Sequence, residues 1–355
     1  MNVGITIFNQ IIKMFIMMIT GYGIYKHALI DSTSVPKLSN ILLYLATPCT
    51  IINSFNQAFS ASKFNELIMC FLLSIAVYLL NIVIAKILYK KNEEIERFCV
   101  VFSNAGFMGI PLVTGLFGSE AVFYISPFIV GFYLFVWTYG IIEMSGDKNN
   151  VTFKKVISNP SIWAVFIGLF IFLLPVKPYE PIMGAINTLG GMNTPLAMII
   201  LGTYLAKERP IDLFNSIKMY KISFIRLLVI PAVYVLLFNF LNVSETIKTV
   251  ILIAACAPVG STAPIFAQMF NKDAAYAAKV VCLSTILSLI TMPAILSWQI
   301  IFGNYSYTKT RSVNLIEFFI IIDLSRLNWR SLFNKKPPAM RVGNIGYTEI
   351  TFPVS

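Results

Sequence analysis

Ten apolar runs, each about as long as a bilayer core is thick, follow one another along the sequence. An α-helix needs about 20 apolar residues to cross that core. Because 57% of the 355 residues are hydrophobic and only 12% are charged, the chain is unlike a soluble domain. The sequence predicts an all-α polytopic membrane protein with spans at residues 3–25, 36–58, 64–89, 97–117, 119–142, 159–177, 181–205, 216–241, 247–269 and 273–302.

The basic loop residues indicate the orientation of these spans. Loops after spans 1, 3, 5, 7 and 9 hold thirteen lysines and arginines, whereas the opposite loops hold only Lys63, Lys177 and Lys248. Since basic residues are enriched in cytoplasmic loops, we expect an outside N-terminus and a cytoplasmic central loop, in the plasma or inner membrane. The first run lacks a basic leader and a cleavage site, so it is expected to be a retained helix.

Charge and cysteine content exclude several other classes. The net charge is +11, but seven of the 27 lysines and arginines lie in the last fifty residues. The rest are largely loop charges that report orientation, so we expect no nucleic-acid partner. The five cysteines lie in apolar runs without a C-x-x-C pair, so we expect reduced packing residues, no metal and no cofactor. The single histidine, His27, lies in a loop and no HExxH motif is present, so an enzyme is not expected.

The two halves of the chain show a weak internal repeat. "GIP" at 109–111 matches "TAP" at 262–264, and Glu120 matches Asp273 at the same offset of 153. Five spans per half is an odd number, so the second half must enter from the opposite face, as in inverted-repeat transporters. The predicted units are a first repeat at 1–142, a linker at 143–158, a second repeat at 159–302 and a basic extension of unassigned role at 303–355.

Two predicted spans contain residues that weaken a helix. "FSNAGFMGIPLVTGLFG" (102–118) holds four glycines, an asparagine and a proline, and "CAPVGSTAPIF" (256–266) holds Pro258 and Pro264 around Gly260. Proline lacks an N–H, and its ring clashes with the carbonyl four residues back. Matched breaks in corresponding spans indicate a transport site. The half-helices after the breaks are expected to start at a proline and would present N–H groups that favour an anion.

Polar residues near these breaks, and basic residues inside the spans, are the candidates for substrate binding. For Asn104, binding a carboxylate and capping a half-helix are equal alternatives. Arg226 lies deep in its span, whereas for Lys279, six residues into its span, reaching water and a functional role are equal alternatives. Thr47, Asn193 and Thr194 could instead bond between helices. The candidates are Asn104, Gly106, Phe107, Gly109, Pro111, Gly260, Ser261, Thr262, Pro264, Arg226, Thr47, Asn193, Thr194 and Lys279.

Four motifs resemble the auxin efflux carrier family. "NAGFMGIPL" (104–112) is similar to its N-x-G-F-x-G-I-P-L signature, and "GMNTPLAMIILGTYLA" (191–206), "RLLVIP" (226–231) and "VCLSTILSLITMP" (281–293) resemble its helices 7, 8 and 10. The resemblance implies ten helices in two inverted five-helix repeats, with helices 4 and 9 crossing beside a scaffold that dimerises in plant members. It also implies transport of organic anions: auxin in plants, malate or malonate in bacterial relatives. The short central loop is typical of a microbial permease, whereas the 303–355 extension departs from the family pattern.

The leading hypothesis is therefore a secondary transporter of small carboxylates that works by alternating access. A passive uniporter or channel-like path is the nearest alternative. A cation-coupled antiporter would usually need a buried acidic residue at the crossing, and no acidic residue lies deep in a predicted span. A receptor or scaffold that does not transport is an alternative from a different class.

Overall fold

The computed structural model of the chain describes residues 3–151, 154, 157–174 and 178–302. Within these ranges the secondary structure is helical, apart from turns and one isolated β-bridge. The predicted extension at 303–355 lies outside the described residues. We label the helices α1 (Val3–Lys26), α2 (Ser34–Ile41), α3 (Thr47–Ser54), α4 (Ala61–Leu88), α5 (Glu94–Val101), α6 (Ile110–Phe117), α7 (Val122–Phe135), α8 (Ile141–Ser145), α9 (Pro160–Leu173), α10 (Glu180–Gly191), α11 (Asn193–Lys207), α12 (Pro210–Leu213), α13 (Ile217–Phe224), α14 (Ile230–Phe238), α15 (Glu245–Cys256), α16 (Thr262–Met269) and α17 (Ala274–Phe302).

Seven helical stretches in the described chain are long and apolar enough to cross a membrane. They are Thr6–Lys26, Ser34–Ser54, Ala61–Leu88, Ser119–Ser145, Glu180–Lys207, Ile217–Phe238 and Ala274–Gln299. The chain is therefore an integral, multi-pass membrane protein. The other three predicted spans do not form single long helices: 97–117 and 247–269 are each split, and 159–177 contains the 14-residue α9. The fifth predicted span continues past residue 142, since α8 ends at Ser145.

Wide turns of π-helix precede three of the prolines. The turns Leu42–Ala46, Ala105–Gly109 and Ile225–Val229 each end two residues before Pro48, Pro111 and Pro231, respectively. A π-turn moves the hydrogen bond from the fourth to the fifth residue, which makes room for a proline ring and its missing N–H. Proline in these spans therefore widens the helix without ending it, because it then stands in the first turn of the next helix.

Glycine allows the closest helix contacts in the fold. A Cβ on Gly202 of α11 would lie 1.9 Å from the Met18 carbonyl oxygen of α1, and one on Gly21 would lie 2.2 Å from the Ile199 carbonyl oxygen. Gly190 of α10 likewise brings its backbone against Thr50 of α3. Small residues are common where membrane helices pack, because they let two backbones approach.

The helices pack in two groups that also contact each other, through α1 with α17 and through α7 with α3 and α9. In the first, α1 lies along α11, and α3 packs against both α9 and α10. In the second, α4 lies along α7, and α17 packs against α13, α15 and α16. The broken segments α5–α6 and α15–α16 meet the second group, while α6 also contacts α1 and α11. The two breaks therefore lie where the groups face each other.

Candidate functional site

The two breaks meet each other and form a crossing. Ser103 and Val259 make an isolated antiparallel bridge. The Asn104 N–H donates to the Pro258 carbonyl at 2.7 Å, and the Gly260 N–H donates to the Phe102 carbonyl at 2.9 Å. Main-chain groups that neither half-helix can satisfy internally are thus satisfied across the crossing.

Gly260 leaves little room for a side chain at this close approach. A Cβ at this position would lie 3.2 Å from the Ser103 carbonyl oxygen and 3.3 Å from that of Phe102. By contrast, a Cβ on Gly106 would meet nothing within 4 Å. The crossing is therefore tightly packed at Gly260 but leaves open space beside Gly106.

Arg226 binds the carbonyl ends of both half-helices that lead into the crossing. Its side chain is fully buried, with no exposed fraction. Nη1 donates to the Val100 carbonyl at 3.2 Å, Nη2 to Ala255 at 2.5 Å and Nε to Ala257 at 3.2 Å. Val100 lies in the last turn of α5, and the other two acceptors lie at the end of α15. The guanidinium therefore stabilises the negative end of two helix dipoles at once.

A second pair of side chains supports the carbonyl end of α5. The Asn81 amide donates to the Val101 carbonyl at 3.2 Å, and the Tyr234 hydroxyl lies 2.6 Å from Asn81 Oδ1. Behind the second break, the Ser284 hydroxyl accepts from the Val259 N–H at 3.1 Å. Asn81, Tyr234 and Ser284 are buried. Asn81 of α4 and Ser284 of α17 contact main-chain groups beside the breaks, and Tyr234 of α14 positions the Asn81 amide.

On the opposite side of each break, polar groups lack partners. Asn104 precedes the turn Ala105–Gly109, its side chain is only 4% exposed, and its Nδ2 has no hydrogen-bond partner among the described residues. The Thr262 hydroxyl, at the start of α16, also has none there. The first N–H groups of a helix have no partner within the helix. The crossing thus presents hydrogen-bond donors from both segments.

A polar seam joins α3 to α10 and α11. Asn193 Nδ2 donates to the Thr47 hydroxyl at 2.8 Å, the Thr50 hydroxyl donates to the Gly190 carbonyl at 2.9 Å, and Asn53 donates to Asn187 at 3.1 Å. The three contacts are spaced by three residues along α3 and by three residues along α10–α11. They therefore lie on one side of α3 and face one side of α10–α11.

A cavity of about 70 Å³ lies beside this seam. Two buried polar atoms from residues that line it, Asn193 Oδ1 and Thr114 Oγ1, have no hydrogen-bond partner among the described residues. Its lining is neutral: Thr50, Asn53, Thr114, Ser119, Asn187, Gly190, Gly191, Asn193 and Thr194. The cavity therefore offers hydroxyl and amide groups, without a formal charge.

Comparison with known proteins identifies the family. The sequence pattern of the family described as "membrane transport protein" matches residues 6–296. The chain belongs to that family. Two relatives named as uncharacterised transporters, from Methanothermobacter thermautotrophicus and Methanocaldococcus jannaschii, are each 25% identical to it, over 310 and 308 residues. Each alignment covers 82% of this chain and 97% of the relative. The resemblance to auxin efflux carriers is thereby confirmed.

In this membrane transport protein twelve of the fourteen predicted site residues lie in three places. At the first break and in the segment after it lie Asn104, Gly106, Phe107, Gly109 and Pro111, and at the second break and the start of α16 lie Gly260, Ser261, Thr262 and Pro264. At the seam and its cavity lie Thr47, Asn193 and Thr194.

The two basic candidates, Arg226 and Lys279, differ in their surroundings. Arg226 lies against the carbonyl ends behind the breaks. Lys279 is half-buried in the second turn of α17. Burial raises the pKa of the Glu208 carboxyl just beyond α11, and the positive charge of Lys279 lowers it in part. Lys279 is thus an electrostatic neighbour of that carboxyl.

The start of the helical backbone after each break was predicted wrongly. The half-helices were expected to begin at a proline, but helical geometry begins at Ala105, six residues before Pro111, and at Thr262, two residues before Pro264. Proline is tolerated in a first turn, so the breaks lie upstream, at 102–104 and 257–261.

Sequence reasoning also missed Asn81, Tyr234, Ser284 and Thr114. Each is a polar residue that stands in an apolar run, although Ser284 is followed directly by Thr285. That is the only sequence signal that could have pointed to them.

Proposed function

We propose that the chain is a secondary transporter of small organic carboxylate anions, with the crossing as its binding site. The observation that carries this proposal is the buried Asn104 Nδ2, which has no hydrogen-bond partner among the described residues and adjoins the first turn of a helix. A buried donor without a partner costs about 1–3 kcal/mol. A carboxylate would satisfy it and would also accept from main-chain N–H groups.

The second segment adds donors from the opposite direction. Ser261 and Thr262 stand at the start of α16, and the Thr262 hydroxyl is without a partner among the described residues. The open space beside Gly106 gives a small ligand room next to the first segment. A carboxylate held between the two segments would gain hydrogen bonds from both, which is how helix N-termini bind anions in membrane transporters.

We further propose that the two helix groups move relative to each other. The seam between α3 and α10–α11, together with the close contact between α1 and α11, makes the first group a rigid scaffold. The crossing is bonded into the second group through Arg226, Asn81 and Ser284. Alternating access would then be a movement of the crossing past the scaffold and the polar cavity.

The topology that we propose has ten spans in two inverted repeats of five, at 1–142 and 159–302, joined by the linker at 143–158. The split segments α5–α6 and α15–α16 are counted as spans 4 and 9, and α9 as span 6. The basic loops favour an outside N-terminus in the plasma or inner membrane. A homodimer through the scaffold is the expected assembly.

Uptake into proteoliposomes tests this function. The purified protein would be assayed with acetate, lactate, malonate and succinate, with folding followed by thermal unfolding in detergent. We expect saturable carboxylate uptake, and a loss of about tenfold or more in kcat/KM for Asn104→Ala, the size of a lost hydrogen bond to a charged group. Asn40, exposed on α2, supplies the control, since Asn40→Ala should leave uptake unchanged. Normal kinetics in a folded Asn104→Ala protein would show that Asn104 only shapes the break.

Counterflow separates transport from the alternatives. In a carrier with alternating access, unlabelled substrate inside the vesicle accelerates the uptake of labelled substrate. Uptake through a channel-like path is not accelerated. Saturable cation exchange without any carboxylate flux would indicate an antiporter. Binding of a carboxylate without flux would indicate a receptor or scaffold.

A further inference from the structure

The crossing contains charges that can be counted. Each end of an α-helix carries about half an elementary charge, positive at the N-terminus and negative at the C-terminus. The C-terminal ends of α5 and α15 therefore sum to about −1. Arg226 donates to carbonyls at both ends and is fully buried, so its single positive charge balances them.

The N-terminal ends beyond the breaks are left without such a balance. The segment from Ala105 to Phe117 and the eight-residue α16 each begin beside the crossing, so together they contribute about +1. Asn104 adds an unpartnered donor at the same place, and it is 96% buried. The side chain thus marks the location at which a ligand would meet these helix ends.

Other buried charges in the described chain are engaged elsewhere. Besides Arg226, the charged residues buried there are Glu96 and Lys248. Glu96, in the first turn of α5, accepts from the Tyr276 hydroxyl at 3.2 Å, and Lys248 pairs with Glu245 at 2.8 Å at the start of α15. Both residues stand in the first turns of their helices, away from the breaks.

The described buried residues supply no second positive charge beside the breaks, since Lys248 is paired with Glu245 in the first turn of α15. A second carboxylate on the same cargo would enter this region ionised and unpaired, which is strongly unfavourable in a buried site, or it would first take up a proton.

Resting on the proposed function, we propose that the crossing accepts one negative charge, so that the cargo crosses the membrane as a monoanion. Arg226 is then a positioning residue that cancels the carbonyl ends and leaves the charge of the N-terminal ends to the cargo. Monocarboxylates would be carried as they are, and dicarboxylates only in their singly protonated form.

Transport by the wild-type protein in proteoliposomes tests this proposal with three probes. These are acetate, malonate and the monomethyl ester of malonate, which is a monoanion of nearly the same size. Between pH 5.5 and 7.5 we expect constant kcat/KM for acetate and for the ester. The value for malonate should fall by about tenfold per pH unit above the ionisation of its second carboxyl. Under an imposed membrane potential, each probe should carry one negative charge per molecule.

Three results decide between the proposals. Malonate flux that does not change with pH and carries two charges would overturn the monoanion rule and leave carboxylate transport standing. Ester flux that falls with pH in parallel with malonate flux would indicate proton coupling, and would also overturn the rule. Absence of binding and flux for all three probes would overturn the proposed function itself.

The nearly isosteric Asn104→Asp variant gives a second test. A carboxylate at this position would cancel the charge that is left for the cargo, so acetate transport at pH 7.5 should fall by about 100-fold or more. Wild-type acetate transport by Asn104→Asp would overturn the proposal.

Discussion

Replacing Arg226 by methionine tests the role of the guanidinium in the crossing. Methionine is unbranched and uncharged, so it replaces the aliphatic stem of arginine and removes every donor. The carbonyls of Val100, Ala255 and Ala257 would lose their contacts at 3.2, 2.5 and 3.2 Å in a fully buried place.

The expected loss of stability follows from these three acceptors. A buried acceptor left without a donor costs about 1–3 kcal/mol, so three cost about 3–9 kcal/mol if they are independent. Removing a buried guanidinium also removes its desolvation penalty of several kcal/mol. We therefore expect a net loss of about 2–4 kcal/mol, concentrated at the crossing.

Thermal unfolding in detergent and amide hydrogen exchange would measure this loss. A change of 1 kcal/mol shifts the midpoint of a large domain by about 2–4 °C, so a decrease of several degrees is expected. Exchange should accelerate at the Asn104 and Gly260 amides, which bond across the crossing. Arg226→Lys keeps the charge without the forked geometry and should recover part of the loss.

Lys13→Met is the control, because Lys13 is exposed on α1. It also removes one positive charge from a helix, yet it should leave the midpoint and the exchange rates unchanged. An Arg226→Met protein with wild-type midpoint and wild-type exchange at Asn104 and Gly260 would refute the structural role of the guanidinium.

Three further substitutions test other contacts. Gly202→Leu should prevent a monodisperse folded protein, because its Cβ would lie 1.9 Å from a carbonyl oxygen of α1; Gly23→Leu, with nothing within 4 Å of its Cβ, should behave normally in size-exclusion chromatography. Tyr234→Phe removes the hydroxyl beside Asn81 and should lower the thermal midpoint by the equivalent of about 1–2 kcal/mol. The hydrogen bond from Lys272 holds the pKa of Glu94 below its usual range. The contribution of this pair to the free energy of unfolding is therefore present above the unfolded pKa of Glu94. It is lost as pH falls through the lower folded pKa. In Lys272→Met the unfolding free energy should be smaller by under about 1 kcal/mol at pH 7 and no different at pH 3, and an equal difference at both pH values would exclude this pair as the cause.

The helices themselves could largely be predicted from the sequence, because a bilayer imposes one strong requirement on each span. Run length and apolarity locate the stretches that become α1, α4 and α17, and the basic loops favour one orientation. The proline positions correctly indicated irregular backbone, but they did not locate it. Proline restricts only its own turn and the carbonyl four residues before it, so the helix can widen into a π-turn and break at a residue farther upstream.

The roles of the polar residues depend on partners that are distant in the sequence. Arg226 was predicted to be important because a deep charge in a membrane is costly, but its acceptors are carbonyls 126, 29 and 31 residues away. Every residue has a main-chain carbonyl, so the sequence does not indicate which carbonyls accept from Arg226. The acceptors and the balance of helix charges could be derived only once the breaks were seen to cross.

The hydrogen-bond partners also distinguish Asn104 from Asn193. Both amides follow irregular positions, yet Asn193 Nδ2 has Thr47 as its acceptor, while Asn104 Nδ2 has none among the described residues. The donor without a partner therefore favours the crossing over the seam as the proposed binding site of the cargo.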